Sequence, residues 1–305
     1  MNPKSKQKFI VLTGFLLAIS VLSYLFVFPY HYKVSFSTKQ PPGVVFDHLR
    51  AWPEFDQHDS VFINNRGLSF YNKLTQDIQS PLGSMQVTWQ IDRNSDNTTR
   101  VQGHFKATDH PMMQKLLMPM GQSYVPERSI KLTESLAKEL LEKCKNFNVH
   151  SITDTILPAI YCAYIPVKTQ EAGKAQGMLR QISIVMDYLK GNDIELRGDP
   201  MIQVGQWNKK NQELEFDFCF PIDPKENLPE HPEVAFKFTS SGRYIKAIFN
   251  GNYRISQQGW YTLIDHAQIN GIRLGDQVIE IYRNDPHEGG DSMKWVAEIL
   301  IPVLE

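Results

Sequence analysis

The chain has few of the residues that mark a metal-binding or disulfide-stabilised protein. It contains three cysteines among its 305 residues: Cys144, Cys162 and Cys219. No two of them have Cys-x-x-Cys spacing, and an odd number without paired spacing argues against a zinc site and a disulfide framework. His104 and His110 flank a predicted turn, but their separation is not a recognisable metal-ligand spacing. We therefore predict no metal site and no cofactor.

The chain also lacks a basic excess. Its 32 Lys and Arg residues are balanced by 33 Asp and Glu residues, which gives a formal net charge of -1. Nucleic-acid-binding domains usually carry a strong positive charge, so we predict no nucleic-acid partner. The sequence contains neither a G-x-S-x-G nucleophile motif nor a glycine-rich phosphate loop, which excludes the commonest hydrolase and nucleotide-binding signatures.

The N-terminus contains a long apolar run without charge. The segment FIVLTGFLLAISVLSYLFVF extends from Phe9 to Phe28, and roughly 20 helical residues cover the ~30 Å hydrocarbon core of a bilayer. Lysines precede the run and tyrosines lie near its far end, a pattern that favours a cytoplasmic N-terminus. We expect a single transmembrane helix with the remaining domains outside the cytoplasm; a cleaved signal peptide is the alternative.

The next region alternates strand-like and helical patterns. A strand and a short helix in VSFSTKQPPGVVFDHLRAWPEFDQ precede several antiparallel strands, and SIKLTESLAKELLEKCKNF predicts a long amphipathic helix. This order resembles the START-like (SRPBCC) superfamily, which includes polyketide cyclases and lipid-transfer proteins. The resemblance covers roughly residues 32–150 and implies a curved sheet that grips a long helix over an apolar cavity.

The second half of the sequence contains an internal repeat. Each copy has a strand, a helix, a Gly-Asp pair, and two further strands that end at a proline. The helices are expected near Ala175 to Lys190 and Ser256 to Asn270, and the closing prolines are Pro221 and Pro302. We expect the two βαββ copies to join edge to edge, with both helices on one face and the opposite face open to a ligand.

Two carboxylates occupy the same position in the two copies. Asp217 and Glu298 each lie four residues before the closing proline of their copy. Strand alternation puts Ala297 and Ile299 on one face and Glu298 on the other. If the apolar face packs on the helices, Glu298 points into the open groove, where it loses hydration. A solvent-facing Glu298 is the alternative that alternation leaves open.

Aromatic residues accompany these carboxylates in the repeat unit. They are Trp207, Tyr253, Trp260 and Tyr282. A carboxylate among aromatic rings suits a flat or cationic organic molecule, through stacking, cation–π attraction and charge pairing. Trp260 can equally belong to the core between helix and sheet.

Three motifs strengthen this interpretation. FNGNY, IEIYRNDP and AEILIPV resemble the gyrase-inhibitor-like effector-binding domain, which also occurs in AraC-type and multidrug-responsive transcription activators. The resemblance covers about residues 155–305 and implies a duplicated βαββ (SHS2-type) fold whose groove holds a central acidic residue among aromatics. By this resemblance the acidic residue is Glu298, and Tyr253 and Tyr282 match family aromatics. Unlike those activators, this chain has no helix-turn-helix segment.

Together these patterns predict an α+β chain in three parts. Residues 1–31 form a cytoplasmic tail and transmembrane helix, residues 32–150 a START-like helix-grip domain, and residues 151–305 the effector-binding domain. The predicted function is membrane-anchored binding of an aromatic or cationic small molecule by Glu298, Tyr253, Tyr282, Trp207, Trp260 and Asp217. One alternative is a hydrolase with Glu298 as general base, assisted by Tyr253 or Tyr282. Another is a protein-docking surface with vestigial grooves.

Overall fold

The computed structural model describes residues 3–26, 28–52, 61–81, 83–225, 227–286 and 289–304. The chain divides into two compact units, Met1–Leu140 and Leu141–Glu305. Each unit contains a large antiparallel sheet with helices. The predicted α+β character is therefore confirmed, whereas the three domain boundaries given above stay predictions.

The first unit is built on a five-stranded antiparallel sheet. Its strand order is β1-β5-β4-β3-β2. The strands are β1 Tyr32–Thr38, β2 Phe62–Ser69, β3 Lys73–Gln79, β4 Met85–Arg93 and β5 Thr99–Ala107. The helices are α1 Pro3–Phe26, α2 Pro42–Ala51, α3 Pro111–Leu117 and α4 Val125–Cys144, the last of which continues into the second unit; a short 3₁₀ helix, Met118–Met120, follows α3.

One face of this sheet forms the core of the first unit. Every second residue of β4 is buried, and Val87 and Trp89 alternate there with more exposed Gln86 and Thr88. This period of two is the signature of a strand with one buried face. The Trp89 indole N–H donates to Gln76 Oε1 at 2.8 Å, which satisfies the one polar atom of this buried ring.

The N-terminal apolar segment does not form the predicted membrane span. Helix α1 is described over Pro3–Phe26. Within the described ranges, no helix has both the length and the apolarity to cross a bilayer. This finding contradicts the predicted transmembrane helix and, with it, the single-pass localisation with a cytoplasmic N-terminus and extracytoplasmic domains.

The second unit contains an eight-stranded antiparallel sheet. Its strand order is β10-β7-β9-β8-β12-β13-β11-β6. The strands are β6 Phe147–Leu157, β7 Tyr161–Gln170, β8 Met201–Asn208, β9 Glu213–Pro221, β10 Ala235–Phe238, β11 Gly242–Gly251, β12 Val278–Tyr282 and β13 Val296–Pro302. The helices are α5 Lys174–Gly191 and α6 Gln257–Asn270, with short 3₁₀ helices at Glu171–Gly173, Tyr253–Ile255 and Ser292–Lys294.

The repeat is visible in the order of these elements. The first copy is β7-α5-β8-β9 and the second is β11-α6-β12-β13. Strands β8 and β12 pair at the join, with Ile202 opposite Glu280. Helix α6 ends at Asn270 and is capped by Gly271, whose φ of 65° is the left-handed conformation that favours glycine at this position. The sheet is thus continuous across the two copies.

The two copies exchange their outermost strands. Strand β6 precedes β7 in the chain but pairs with β11 of the second copy. Strand β10 precedes β11 but pairs with β7 of the first copy. The sequence analysis placed a single strand at the start of each copy, so it missed both exchanged strands. As a result, each copy supplies an edge strand to the other.

Helix α6 packs closely on the second copy's hairpin. A Cβ atom placed on Gly259 would lie 2.8 Å from Ile299 Cγ1, a distance that real Cβ contacts do not reach. Ile299 therefore faces the helix, as strand alternation predicts, and its neighbour Glu298 faces the other way. The absence of a side chain at Gly259 sets the distance between helix and sheet.

We predict opposite effects for two glycine-to-alanine substitutions. Gly259→Ala should lower the free energy of unfolding by about 1–2 kcal/mol, because overpacking of a core outweighs the better helix propensity of alanine. Gly191→Ala, at a position where an added Cβ meets nothing within 4 Å, should be neutral or stabilising by up to ~1 kcal/mol. Urea unfolding of both variants measures this difference. Equal stabilisation by both would show that α6 is not held against β13.

Candidate functional site

The second unit contains a cavity of about 600 Å³. Helix α5 supplies five apolar side chains to its wall, and the sheet and several loops supply the rest. The lining residues are Ala175, Met178, Leu179, Ile182, Met186, Leu196, Asp199, Pro200, Phe218, Phe220, Asn252, Tyr253, Arg254, Tyr282, Arg283, Asn284, Asp285, Pro286 and Trp295. The cavity thus lies between the helix of the first copy and the hairpin end of the second.

The cavity lies on the helical face of the sheet. Phe216 of β9 contacts the position of Gly177 in α5, so Phe218 and Phe220, two and four residues further, point to the same side. Both line the cavity. We expected the ligand groove on the face opposite the helices, whereas this cavity has α5 as one of its walls.

Three aromatic rings form the wall opposite α5. The Tyr253 ring centroid lies 4.7 Å from that of Tyr282 and 5.6 Å from that of Trp295. The Tyr253 hydroxyl donates to the Val296 carbonyl oxygen at 2.8 Å, which fixes the ring. Burial raises the pKa of Tyr253 to about 12. The ring is therefore uncharged at neutral pH and presents an aromatic surface to the cavity.

Behind Tyr282 lies a fully buried carboxylate, Glu280. Lys174 Nζ donates to its two oxygens at 2.7 and 2.9 Å. The Trp260 indole N–H donates to Oε1 at 2.5 Å, and the Tyr282 hydroxyl donates to Oε2 at 2.5 Å. Ser256 Oγ lies 2.7 Å from Oε2. This cluster connects the cavity wall to the core beneath it.

The two helix starts make this burial possible. Lys174 is the first residue of α5, and Ser256 directly precedes α6. The N-terminus of a helix carries a partial positive charge, so both helices favour an anion between them. Burial lowers the pKa of Lys174, and the Glu280 carboxylate opposes this shift. Burial, together with the charge of Glu280, raises the pKa of Tyr282 well above its usual value.

Glu298 occupies a different environment. It lies on β13 with its side chain on the face away from Ile299 and the helices. Arg283 Nη2 contacts its Oε1 at 3.0 Å, and Lys246 Nζ contacts its Oε2 at 3.4 Å. Its side chain is 19% exposed. The two ion pairs balance the negative charge of Glu298 without a ligand. The predicted role of Glu298 in ligand binding stays a prediction.

Asp217 has a similar environment in the first copy. Lys237 Nζ contacts its Oδ2 at 2.5 Å, and its side chain is 30% exposed. It lies one residue from Phe216 and Phe218, so it points away from the cavity face. The structure therefore does not bring Asp217 and Glu298 to the cavity wall.

The two predicted tryptophans lie against each other. The Trp207 ring centroid is 4.9 Å from that of Trp260 and 5.8 Å from that of Tyr261. The Tyr261 hydroxyl donates to Glu171 Oε1 at 2.8 Å. These rings pack within the protein beside α6. Of the six predicted residues, Tyr253 and Tyr282 are the two among the described lining residues.

The sequence analysis missed Glu280, Lys174 and Trp295. A signal for Glu280 was present, since it lies two residues before Tyr282 in IEIYRNDP and strand alternation puts both on one face. Lys174 carried no such signal, because a lysine at a helix start usually lies in solvent. Its role depends on a contact with a residue 106 positions later.

We predict that Glu280 and Glu298 differ strongly in their effect on stability. Glu280→Gln should lower the free energy of unfolding by about 3–5 kcal/mol, because it leaves the Lys174 ammonium buried without its counter-charge. Glu298→Gln, which removes two partly exposed ion pairs, should cost less than about 1 kcal/mol. Urea unfolding of the two variants provides the comparison. A loss in Glu280→Gln as small as that expected for Glu298→Gln would show that the buried ion pair is not required for the stability of the fold.

Residues 157–304 match a protein-family model described as GyrI-like small molecule binding domain. The match covers just under half of the chain and lies within the second unit. The resemblance inferred from FNGNY, IEIYRNDP and AEILIPV is thus confirmed for this unit. The comparisons do not support the START-like resemblance of residues 32–150. No curated protein sequence matches the chain.

Several solved structures are similar to this chain. The C-terminal domain of EcmrR has a TM-score of 0.45 at 16% identity, and the similarity covers 52% of this chain and 98% of that chain. SAV2435 bound to tetraphenylphosphonium has a TM-score of 0.37 at 12% identity, covering 51% and 94%. A hydrolase encoded by lin2189 from Listeria innocua has a TM-score of 0.35 at 13% identity, covering 50% and 92%. At these scores none of them assigns a ligand or an activity to this chain.

Proposed function

We propose that the GyrI-like domain binds a small organic molecule with an aromatic, apolar body in the cavity between α5 and the Tyr253–Tyr282–Trp295 wall. The observation that carries this proposal is the cavity itself, which has a volume of about 600 Å³. Binding sites for small molecules typically enclose roughly 300–1,000 Å³ and are lined mainly by apolar and aromatic side chains. The family match to small molecule binding domains supports the same function.

The chemistry of the two walls favours a flat ligand. Met178, Ile182 and Met186 lie on one face of α5 and line one side of the cavity. Methionine side chains adapt their shape and contact aromatic rings favourably. Tyr253 and Trp295 offer ring faces from the other side, where stacking adds to the effect of burial. A ring system held between these walls contacts apolar atoms on both faces.

The contacts of Glu298 favour binding over the hydrolase alternative. A general base must reach the proton that it removes, directly or through one water. Glu298 is held by Arg283 and Lys246 on the face away from the helices. The alternative of a protein-docking surface assumes vestigial grooves, whereas this cavity has a volume of about 600 Å³. We therefore retain small-molecule binding and propose no reaction.

Filling the cavity should weaken the binding of an uncharged aromatic probe. Ile182→Trp adds a large ring to the cavity wall. It should lower the affinity for N-phenyl-1-naphthylamine by about tenfold or more, because even one or two lost apolar contacts are worth ~1–3 kcal/mol. Fluorescence titration with this probe measures the dissociation constant.

A neighbouring position supplies the matched control. Ser183 follows Ile182 in α5 and is exposed, so Ser183→Trp introduces the same ring outside the cavity. This variant should bind the probe within about twofold of the wild-type chain, as expected for a surface substitution. Thermal unfolding of both variants confirms that each is folded. Equal affinity of the Ile182→Trp variant and the wild-type chain would contradict the proposed site.

A further inference from the structure

We infer that the cavity has no preference for organic cations, because Lys174 occupies the place beside Glu280 that a cationic ligand would need. This inference rests on the proposed binding function and adds the charge class of the ligand. It depends on three features of the second unit: the contacts of the carboxylate, its position behind Tyr282, and the charges of the lining residues.

The first feature is the internal counter-ion. Lys174 Nζ lies within 2.9 Å of both Glu280 oxygens, and the two side chains are 1% and 0% exposed. The attraction between two such groups is strong where water is excluded. The pair has no net charge whichever partner holds the proton. A ligand in the cavity therefore meets a neutral unit where a lone carboxylate would attract a cation.

The second feature is that the carboxylate has no free position for a ligand. A carboxylate offers about four acceptor sites on two oxygens. Oε1 accepts from Lys174 and Trp260, and Oε2 accepts from Lys174 and Tyr282. A ligand cation would have to displace Lys174 and leave its ammonium group buried and unpaired, which is strongly unfavourable.

The third feature is the charge balance of the lining. The described lining residues include two carboxylates, Asp199 and Asp285, and two guanidinium groups, Arg254 and Arg283. Arg283 Nη1 contacts Asp199 Oδ2 at 2.7 Å. The described part of the lining therefore offers a cation no net negative charge. Most of the other lining residues are apolar or aromatic, and they favour the burial of an uncharged ligand.

Two ions of nearly the same size and opposite charge test this inference. Tetraphenylarsonium and tetraphenylborate compete with bound N-phenyl-1-naphthylamine, and fluorescence reports displacement. We expect the two ions to displace the probe from the wild-type chain with dissociation constants within about threefold of each other, since a cavity without net charge prefers neither sign. A preference for arsonium of about tenfold or more would overturn the inference.

Substitution of Lys174 tests whether this residue neutralises the charge of Glu280. In Lys174→Met the Glu280 charge is no longer cancelled, and the arsonium-to-borate preference should rise by about tenfold. In the double variant Lys174→Met/Glu280→Gln the preference should return to the wild-type value. The affinity of each chain for the uncharged naphthylamine is measured first, and each ion preference is the ratio of the two ion dissociation constants within one chain.

Each remaining outcome has a defined meaning. An unchanged ion preference in folded Lys174→Met would overturn the inference. If this variant does not fold, the ion preference of the wild-type chain decides alone. If the wild-type chain does not bind the naphthylamine, the proposed function itself fails, and the charge class of the ligand fails with it.

Discussion

The buried contact between Lys174 and Glu280 holds the two copies of the repeat together. Lys174 belongs to the first copy and Glu280 to the second, and β8 and β12 join the copies in the sheet below them. The duplication brings the starts of α5 and α6 to one place, where each helix contributes a partial positive charge. A carboxylate buried there has two helix ends, an ammonium group, an indole and a hydroxyl around it. The position of Tyr282, and hence the shape of the cavity wall, follows from this cluster.

The duplication creates two equivalent grooves, but the copies use them differently. The groove beside α5 is the open cavity. At the equivalent place beside α6, the Trp207 ring packs on Trp260 and Tyr261, and its N–H lies 3.4 Å from Glu171 Oε2. In the described part of the second unit, the open cavity beside α5 therefore has a packed counterpart beside α6. Two tryptophans that the sequence associates with ligand binding contribute to this packing.

Sequence patterns predicted the helices and the order of the repeat, because strong periodicity and turn residues mark them. They did not predict the strand exchange, since a short turn between β6 and β7 looks like an irregularity within one strand. They also assigned the central acid to β13. Alternation puts Glu280 on the same face as Tyr282, but both faces of β12 are buried, and the sequence does not show that Glu280 pairs with the distant Lys174. The membrane prediction rested on a count of uncharged residues, and within the described ranges no helix has both the length and the apolarity that a span requires.

The strand exchange also determines the order in which the second unit can assemble. Strand β13, the last in chain order, lies inside the sheet between β12 and β11. Strand β6 has no partner in the sheet until β11 has formed. Pairings between such distant segments make a domain slow to fold. A nascent chain that still lacks β13 leaves β11 and β12 with unpaired edges, which can join other chains. The domain therefore depends on protection during its synthesis more than a fold assembled from successive hairpins does.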